Sequence, residues 1–341
     1  MDLDAIGGDI LLNCVHGIFW SIILILIEAR AFRWVDKIFA CCRGKKVPPR
    51  TDLVLDEDVL EEEKRVESLP RDALKVRVDR FRKGYERLFQ PMYLAVERTS
   101  FGLDYGECFA LLGVNGAGKT TTFKSLTGEI TPTSGDISIN GMDIERDFAK
   151  IRKLIGYCPQ HDAIFEQMTV EEHLDYYARI KGIKKELRSA LVEKQIKDMN
   201  LEEHRKKLAG ALSGGNKRKL SVAMCVIGNP PIILLDEPSA GMDPEARRFM
   251  WSVVARISQQ RKKSAVILTT HSMEEAEALS TKMGIMVKGG IFKCFGSSQH
   301  IKSKFGTGYE IEVKVRKISP EDLNRKIKEF NLSNQETVPF N

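Results

Sequence analysis

A glycine-rich stretch is the part of the sequence whose residue types and spacing most clearly predict a chemical role. Residues Gly113 to Thr120 read GVNGAGKT, a full match to the Walker A pattern. Glycines let backbone N–H groups turn inward around phosphates, and the N-terminus of a following helix favours their negative charge. Lys119 supplies a positive charge for the β- and γ-phosphates, and the Thr120 hydroxyl can ligate Mg²⁺. With both residues in place, phosphate binding is favoured over a turn that merely joins a strand to a helix. The predicted nucleotide-binding residues of this loop are Gly113, Asn115, Gly116, Ala117, Gly118, Lys119, Thr120 and Thr121.

A second signal is a pair of adjacent acids, Asp236 and Glu237, after four aliphatic residues. The turn at residues 229–231 precedes the aliphatic run, so residues 232–235 are typical of a buried parallel strand. Such a strand delivers its last residues to the edge where open α/β sheets bind ligands. We therefore expect Asp236 to reach Mg²⁺, directly or through water. Glu237 would polarise the water that attacks the γ-phosphate.

The elements that must position these residues are also visible in the sequence. Residues 107–113 are a short apolar run that predicts a buried strand before the loop, and residues 119–126 predict the helix after it. Residues 74–79 alternate like a strand, and Thr169 begins a segment typical of a capped helix. Together these patterns predict an α/β protein.

The sequence between the loop and the acid pair carries a resemblance to a known family. Residues 212–216 read LSGGN and are followed by basic residues at 217–219. They resemble the signature motif of ATP-binding cassette (ABC) proteins, whose last residue is usually glutamine; Asn216 keeps an amide there. Residues 214–221 (GGNKRKLS) and 241–251 resemble the A subfamily of these transporters.

The resemblance implies an α/β fold of the P-loop NTPase, ABC type, with a mixed sheet core, an antiparallel β subdomain and a helical subdomain between Gln160 and Leu212. It implies ATP and Mg²⁺ as cofactors, and ATP hydrolysis that drives transport across a membrane, usually of lipid. The implied partners are a second nucleotide-binding domain, transmembrane domains and membrane lipid. Two alternatives stay open: a soluble ABC ATPase without transport, and a regulatory half that binds nucleotide with little turnover.

Several single residues acquire roles through this resemblance. Gln160 matches the Q-loop, as a catalytic residue and a Mg²⁺ ligand, and His271 matches the switch histidine. Residues 239–243 match the D-loop. Gln160 and His271 could instead be ordinary polar loop residues, but the order of the motifs along the chain favours the functional interpretation. The signature residues that would cap the ATP held by an opposing cassette are Ser213, Gly214 and Gly215.

One aromatic residue is placed like the family's adenine-stacking side chain. This is Tyr85, which follows Lys83 and Gly84. Phe81 and Phe89 lie nearby and could serve instead, since stacking needs only an aromatic face. Tyr85 could also be a core residue.

The N-terminal residues 10–27 are almost all apolar and carry no charge, close to the roughly 20 residues that span a bilayer. A signal peptide would begin with basic residues, whereas Asp2 and Asp4 are acidic, and a buried helix is the other alternative. Basic residues from Arg30 to Lys46 follow the run. This bias predicts a transmembrane helix with everything after it in the cytoplasm.

We divide the chain by these signals into four parts. They are a segment with the transmembrane helix over residues 1–29, a charged cytoplasmic linker, partly helical, over 30–73, an ABC nucleotide-binding domain over 74–308, and an incomplete regulatory domain over 309–341. The last part holds a predicted strand over 309–315 and a predicted helix over 320–330. We expect a fragment, or a truncated product, of a transporter's second half.

Composition excludes some function classes. The net charge of +6 comes from basic residues interspersed with acidic ones, so nucleic acid is not an expected partner. The seven cysteines are odd in number and lack a C-x-x-C pair, which suits a reducing cytosol. Cys41 and Cys42 are either acylated or unmodified thiols. His173 and His204 are expected to be surface polar residues, because neither has metal-ligand spacing to another ligand.

Overall fold

The structure is a computed structural model that describes residues 13, 15–24, 55–87, 90–260 and 264–305. Residues 15–24 are helical, and the rest of the predicted membrane span lies almost wholly outside this part of the chain. Among the described helices, none combines the length and apolar character needed to cross a bilayer. The two candidate acylation sites, and the strand and helix predicted beyond residue 308, also lie outside the described residues.

The chain forms one compact unit over Met1–Ile301 and a second over Lys302–Asn341, and the site lies in the first. In chain order, the described strands are β1 (Val76–Arg87), β2 (Gln90–Leu103), β3 (Cys108–Gly113), β4 (Ser134–Ile139), β5 (Met142–Asp143), β6 (Ile155–Cys158), β7 (Ile232–Asp236), β8 (Ala265–Thr270), β9 (Lys282–Val287) and β10 (Ile291–Gly296). The helices after residue 55 are α1 (Glu57–Ser68), α2 (Lys119–Leu126), α3 (Phe148–Ile151), α4 (Val170–Ile180), α5 (Lys185–Asp198), α6 (Gly214–Val226), α7 (Pro244–Gln260), α8 (Met273–Leu279) and α9 (Ser298–Phe305).

The strands form one mixed sheet in the order β5-β4-β1-β2-β10-β9-β3-β8-β7-β6. Strands β9, β3, β8, β7 and β6 pair in parallel, whereas β5, β4, β1 and β2 pair antiparallel. Strand β10 joins the two regions, because it pairs antiparallel with β9 and meets β2 through a parallel bridge between Ile291 and Arg98. Parallel pairing brings the carboxyl ends of β3, β7 and β8 to one edge of the sheet. The predicted fold class, a mixed core with an antiparallel β subdomain and a helical subdomain, is confirmed.

The central strands β3, β7 and β8 are mostly apolar because both faces of the sheet are covered. In β3, Cys108, Ala110 and Leu112 pack into one hydrophobic cluster, and Phe109 and Leu111 pack into the other. The alternation follows from the two-residue period of a strand. The loop after β3 therefore starts from a strand that is packed on both sides.

Helix α1 occupies the acidic stretch that the sequence predicts to be a partly helical linker. Asp56 caps its N-terminus, and Val59 and Val66 are buried along its length. Glu63 is also buried and forms an ion pair with Arg98 of β2, at 2.7 Å between Oε1 and Nη2. The acidic residues of this helix thus take part in packing against the sheet, which a run of acids in the sequence does not indicate.

The helical region between β6 and β7 contains the predicted capped helix. Thr169 caps α4 in a capping box with Glu172. The surface assignment of His173 is wrong, because its side chain is fully buried. Its Nε2 accepts a hydrogen bond from the backbone N–H of Phe165 at 2.9 Å. The histidine therefore satisfies a loop donor within the subdomain, while His204 is partly exposed.

Candidate nucleotide-binding and catalytic site

The glycine-rich loop joins β3 to α2 and needs glycine at two points. Gly116 and Gly118 have φ values of +79° and +108°, a region that side chains with a Cβ rarely adopt. A Cβ on Gly118 would also lie 2.8 Å from the carbonyl oxygen of Ala95 in β2. No described atom lies within 4 Å of a Cβ built on Gly116, so the loop leaves open space there. This conformation turns a backbone cradle towards free volume.

The ammonium group of Lys119 is buried beside the loop. Its Nζ donates a hydrogen bond to the carbonyl oxygen of Gly113 at 2.5 Å. Burial lowers the pKa of Lys119, and the carboxylates of Glu237 and Asp236 oppose that shift. A desolvated cation held by a neutral carbonyl is suited to receive an anionic group such as a phosphate.

The two acids at the end of β7 are held by the neighbouring strand β8. Asp236 is buried, and its Oδ1 accepts a hydrogen bond from Thr269 Oγ1 at 2.5 Å. The backbone N–H of Glu237 in turn donates to Thr269 Oγ1 at 3.0 Å. Burial raises the pKa of Asp236, while the Thr269 hydrogen bond lowers it. Sequence reasoning missed Thr269. This residue lies beside Asp236 only because of the parallel register of β7 with β8.

Glu237 has a φ of +50°, an unusual value for a residue with a side chain. Backbone strain of this kind persists where surrounding contacts fix it and is common at functional sites. Here the hydrogen bond to Thr269 holds the backbone. The strained turn presents the Glu237 carboxylate to side chains from two other loops.

The three residues predicted to be catalytic meet at this carboxylate. His271 Nε2 contacts Glu237 Oε1, and Gln160 Nε2 donates to Glu237 Oε2 at 3.1 Å. His271 Nδ1 lies 3.1 Å from the carbonyl oxygen of Gly113 and 3.4 Å from Lys119 Nζ. The histidine therefore connects the glycine-rich loop to the acid pair. The catalytic roles of these residues stay predictions.

A cleft of about 200 Å³ lies over the loop. It is lined by Tyr85, Tyr93, Ala95, Val114, Asn115, Gly116, Ala117, Gly118, Lys119, Thr120, Thr121, Gln160 and Glu237. Glu237 also lines a neighbouring recess of about 140 Å³ with His271 and the predicted D-loop residue Ser239. The structure thus gathers most predicted binding residues around one cleft. Of the others, Gly113 accepts a hydrogen bond from Lys119 of the lining, and Asp236 directly precedes Glu237 of the lining.

The aromatic end of the cleft contains two tyrosines. Tyr85 of β1 pairs with Tyr93 of β2 in the antiparallel register, and both are partly exposed. Phe81, one of the alternatives to Tyr85, is fully buried in the core and offers no face to a ligand. Phe89 lies outside the described residues. Tyr93 was missed because only the pairing of β1 with β2 places it beside Tyr85.

The predicted signature residues lie at the start of α6 and do not line the described cleft. Ser213 is the N-cap, and its hydroxyl accepts a hydrogen bond from Asn216 N at 3.4 Å. Ser213 and Gly214 are exposed, and no described atom lies within 4 Å of a Cβ built on Gly214. The helix start is therefore open to a group from outside.

A buried carboxylate that sequence reasoning missed ties two of the predicted loops together. Glu275 of α8 accepts hydrogen bonds from Ser239 Oγ at 2.7 Å, Thr270 Oγ1 at 2.5 Å and Trp251 Nε1 at 3.1 Å. Ser239 begins the predicted D-loop, and Thr270 directly precedes His271. Glu275 therefore fixes the spacing between these loops. In the sequence, Glu275 is one of several acidic residues in a helix, so nothing marks it as buried.

Comparison with known proteins agrees with the resemblance to ABC proteins that the sequence motifs carry. A family model described as ABC transporter matches residues 96–240. The mouse phospholipid-transporting ATPase ABCA3 is 44% identical over 335 residues, which is 96% of this chain and 19% of that protein. Human ATP-binding cassette sub-family A member 2 is 39% identical over 329 residues, 96% of this chain and 13% of that protein.

A solved structure of an ATP-binding subunit of an ABC transporter is similar over 74% of this chain and 99% of its own, with 27% identity and a TM-score of 0.61. The chain spans less than a fifth of the two curated relatives. The shared region contains the glycine-rich loop, the acid pair and the signature sequence described above. Residues 96–240 of this chain therefore form an ABC transporter domain, and over its nucleotide-binding region the chain is similar to members of the A subfamily.

Proposed function

We propose that this cassette binds ATP with Mg²⁺ and hydrolyses it to drive transport across a membrane, with lipid as the cargo. The observation that carries the proposal is the Glu237 carboxylate held between His271 and Gln160, in the cleft that Lys119 also lines. A carboxylate beside a phosphate-binding loop can accept a proton from water. Among the described residues, no specific observation favours either alternative, a soluble ABC ATPase without transport or a regulatory half with little turnover.

The loop and the acid pair divide the work of binding. Lys119 and the backbone around Gly116 and Gly118 would hold the phosphates, because they combine a buried cation with a cradle of open space. The oxygen donors of Thr120, Gln160 and Asp236 fit a hard divalent cation, and bound Mg²⁺ would neutralise phosphate charge. Burial raises the pKa of Asp236 and so disfavours its ionised form, which a bound cation would stabilise.

Around the γ-phosphate we assign the proton-accepting role to Glu237. His271 and Gln160 each contact one of its two oxygen atoms, so the orientation of the carboxylate is fixed before the reaction. His271 also contacts Gly113 at the base of the loop. It is therefore placed to respond to the occupancy of the loop. Tyr85, with Tyr93 beside it, would receive the adenine ring.

We further propose that a second cassette completes the site. Ser213, Gly214 and Gly215 lie at an open helix start away from this chain's cleft, where they can cap ATP held by another copy or another domain. The four-part division of the chain, the membrane span over residues 10–27 and the cytoplasmic position of the cassette belong to the same proposal. The phospholipid-transporting relative supports lipid as the cargo.

The test is phosphate release from Mg-ATP by the chain alone and together with the other half of its transporter. We expect turnover that increases when the other half is present. Binding of ATP without turnover in both samples would favour a regulatory half. The membrane part is tested separately by carbonate extraction of expressing cells. Recovery of the chain in the soluble fraction would contradict the transporter assignment and favour a soluble ABC ATPase.

A further inference from the structure

Arg218 is a buried residue of α6 that lies within the motif at residues 214–221 and has no role in the function proposed above. It lies five positions after Ser213, near the start of the helix that follows the signature. Only 3% of the residue is exposed. A buried guanidinium must find hydrogen-bond acceptors, because leaving its charge unpaired is costly. The acceptors it finds belong to two loops of the catalytic site.

The first set of acceptors is in the loop that carries Gln160. Arg218 Nη1 donates to the carbonyl oxygens of Pro159 at 2.6 Å and Gln160 at 3.3 Å. The same atom lies 3.1 Å from Asp162 Oδ1. One nitrogen therefore holds the backbone on which the Gln160 side chain is carried.

The second set of acceptors follows the strand that carries the acid pair. Arg218 Nη2 donates to the carbonyl oxygens of Asp236 at 2.5 Å and Glu237 at 3.0 Å. Its Nε donates to the carbonyl oxygen of Pro238 at 3.1 Å. These carbonyls surround the strained Glu237 backbone, so the guanidinium helps to hold that turn.

Only a planar group with several donors can serve both loops together. Arginine carries its N–H donors in a fixed fork, whereas lysine offers one nitrogen. The fork rigidly relates the start of α6 to Gln160 and Glu237. When α6 moves relative to the strands, these contacts must either move with it or break. Arg218 is therefore in a position to transmit displacement of the signature to the catalytic side chains.

We propose that Arg218 is a positioning residue that links the signature helix of a cassette to Gln160 and Glu237 of the same cassette. This rests on the proposed function, in which the signature acts on ATP bound by the opposing cassette. Engagement of the signature at one ATP site would then adjust Gln160 and Glu237 at the other. The link acts on the geometry of hydrolysis and leaves the phosphate-binding loop unchanged.

The test compares Arg218→Lys with the parent chain in the presence of its other half. We expect kcat for ATP hydrolysis to fall about 10-fold to 100-fold, since small misplacement of reacting groups has effects of that size. The ATP dissociation constant should change less than about threefold, because Lys119 and the loop remain in place. Arg248→Lys is the matched control, an exposed arginine on α7 that should retain parental kcat.

Asp162→Asn provides a second variant that tests the link without removing the buried guanidinium. Asp162 is partly exposed, so the protein should fold, and kcat should fall several-fold. In the double variant with Arg218→Lys, the fold reduction in kcat should be smaller than the product of the two single reductions, because both substitutions act through one contact. Independent effects, a parental kcat in Arg218→Lys or a changed ATP affinity with unchanged kcat would each overturn the inference. A parent chain that neither binds nor hydrolyses ATP would overturn the proposed function itself.

Discussion

Replacing Glu237 with glutamine tests the central assignment with a small structural change. The carboxylate receives a hydrogen bond from Gln160 and contacts His271 Nε2. A glutamine carbonyl can still accept from Gln160, and its NH₂ group can donate to His271 Nε2 when the imidazole proton is on Nδ1. Gly113 O, 3.1 Å from Nδ1, can accept that proton. Both contacts are therefore satisfied, and the free energy of unfolding should change by less than about 1 kcal/mol.

The rate should change far more than the stability. An amide is a very poor base, and loss of a general base typically lowers the rate about 10²-fold to 10⁴-fold. This corresponds to roughly 3–5 kcal/mol in the activation barrier. ATP affinity should stay within a few-fold of the parent, because Lys119, Thr120 and Asp236 are unchanged. The variant should therefore retain ATP without turning it over.

The assay measures phosphate release and the fraction of ATP that stays bound, side by side and with the other half of the transporter present. Glu274→Gln is the matched control, since Glu274 is exposed on α8. That variant should hydrolyse ATP at the parental rate. If Glu237→Gln also did so, Glu237 would not be the base and the role would have to move to another group. If it lost ATP binding instead, the proposed division between binding and proton transfer would be wrong.

Three further predictions address other parts of the site and the core. Lys119→Ala should weaken Mg-ATP binding by at least about 10-fold, through loss of a charged hydrogen bond, and equal affinity in a binding titration would contradict its role. Glu275→Ala should lower the free energy of unfolding by about 3 kcal/mol or more in urea denaturation, because three donors lose their acceptor, and an unchanged midpoint would refute this. Burial raises the pKa of Cys108 and of Cys158 to about 12, so at pH 8 these thiols stay protonated. Iodoacetamide should therefore leave both unlabelled in the folded chain and modify them in urea, as mass spectrometry would detect.

The parts of the fold that the sequence predicts well depend on local signals. The helix predicted over residues 119–126 is observed with those bounds, and the strand predicted over 107–113 differs by one residue. Glycines that need positive φ, a buried apolar run and a helix start leave clear marks within a few neighbouring residues. The same holds for Thr169, whose capping box uses residues three positions apart.

The parts that sequence reasoning missed depend on contacts between distant segments. Thr269 is adjacent to Asp236 only through the register of β7 with β8, and Tyr93 meets Tyr85 only through that of β1 with β2. His173 looks like a surface residue in a polar helix, but the loop that folds over it supplies a backbone donor. Such contacts require the tertiary structure, because one sequence does not fix which strands pair or in which register.

In the proposed function, the position of the signature explains why a single cassette would be a poor ATPase. The cleft combines a cation, a backbone cradle and the proposed base from one chain, while Ser213 and Gly214 lie at an open helix start elsewhere. The first N–H groups of a helix lack partners within the helix, so this open end is suited to bind an anion. If the signature is to meet the γ-phosphate, the ATP must come from another cassette. Closure of two cassettes would then place a helix N-terminus opposite Lys119, and release of the cleaved phosphate after hydrolysis would remove the charge that holds them together.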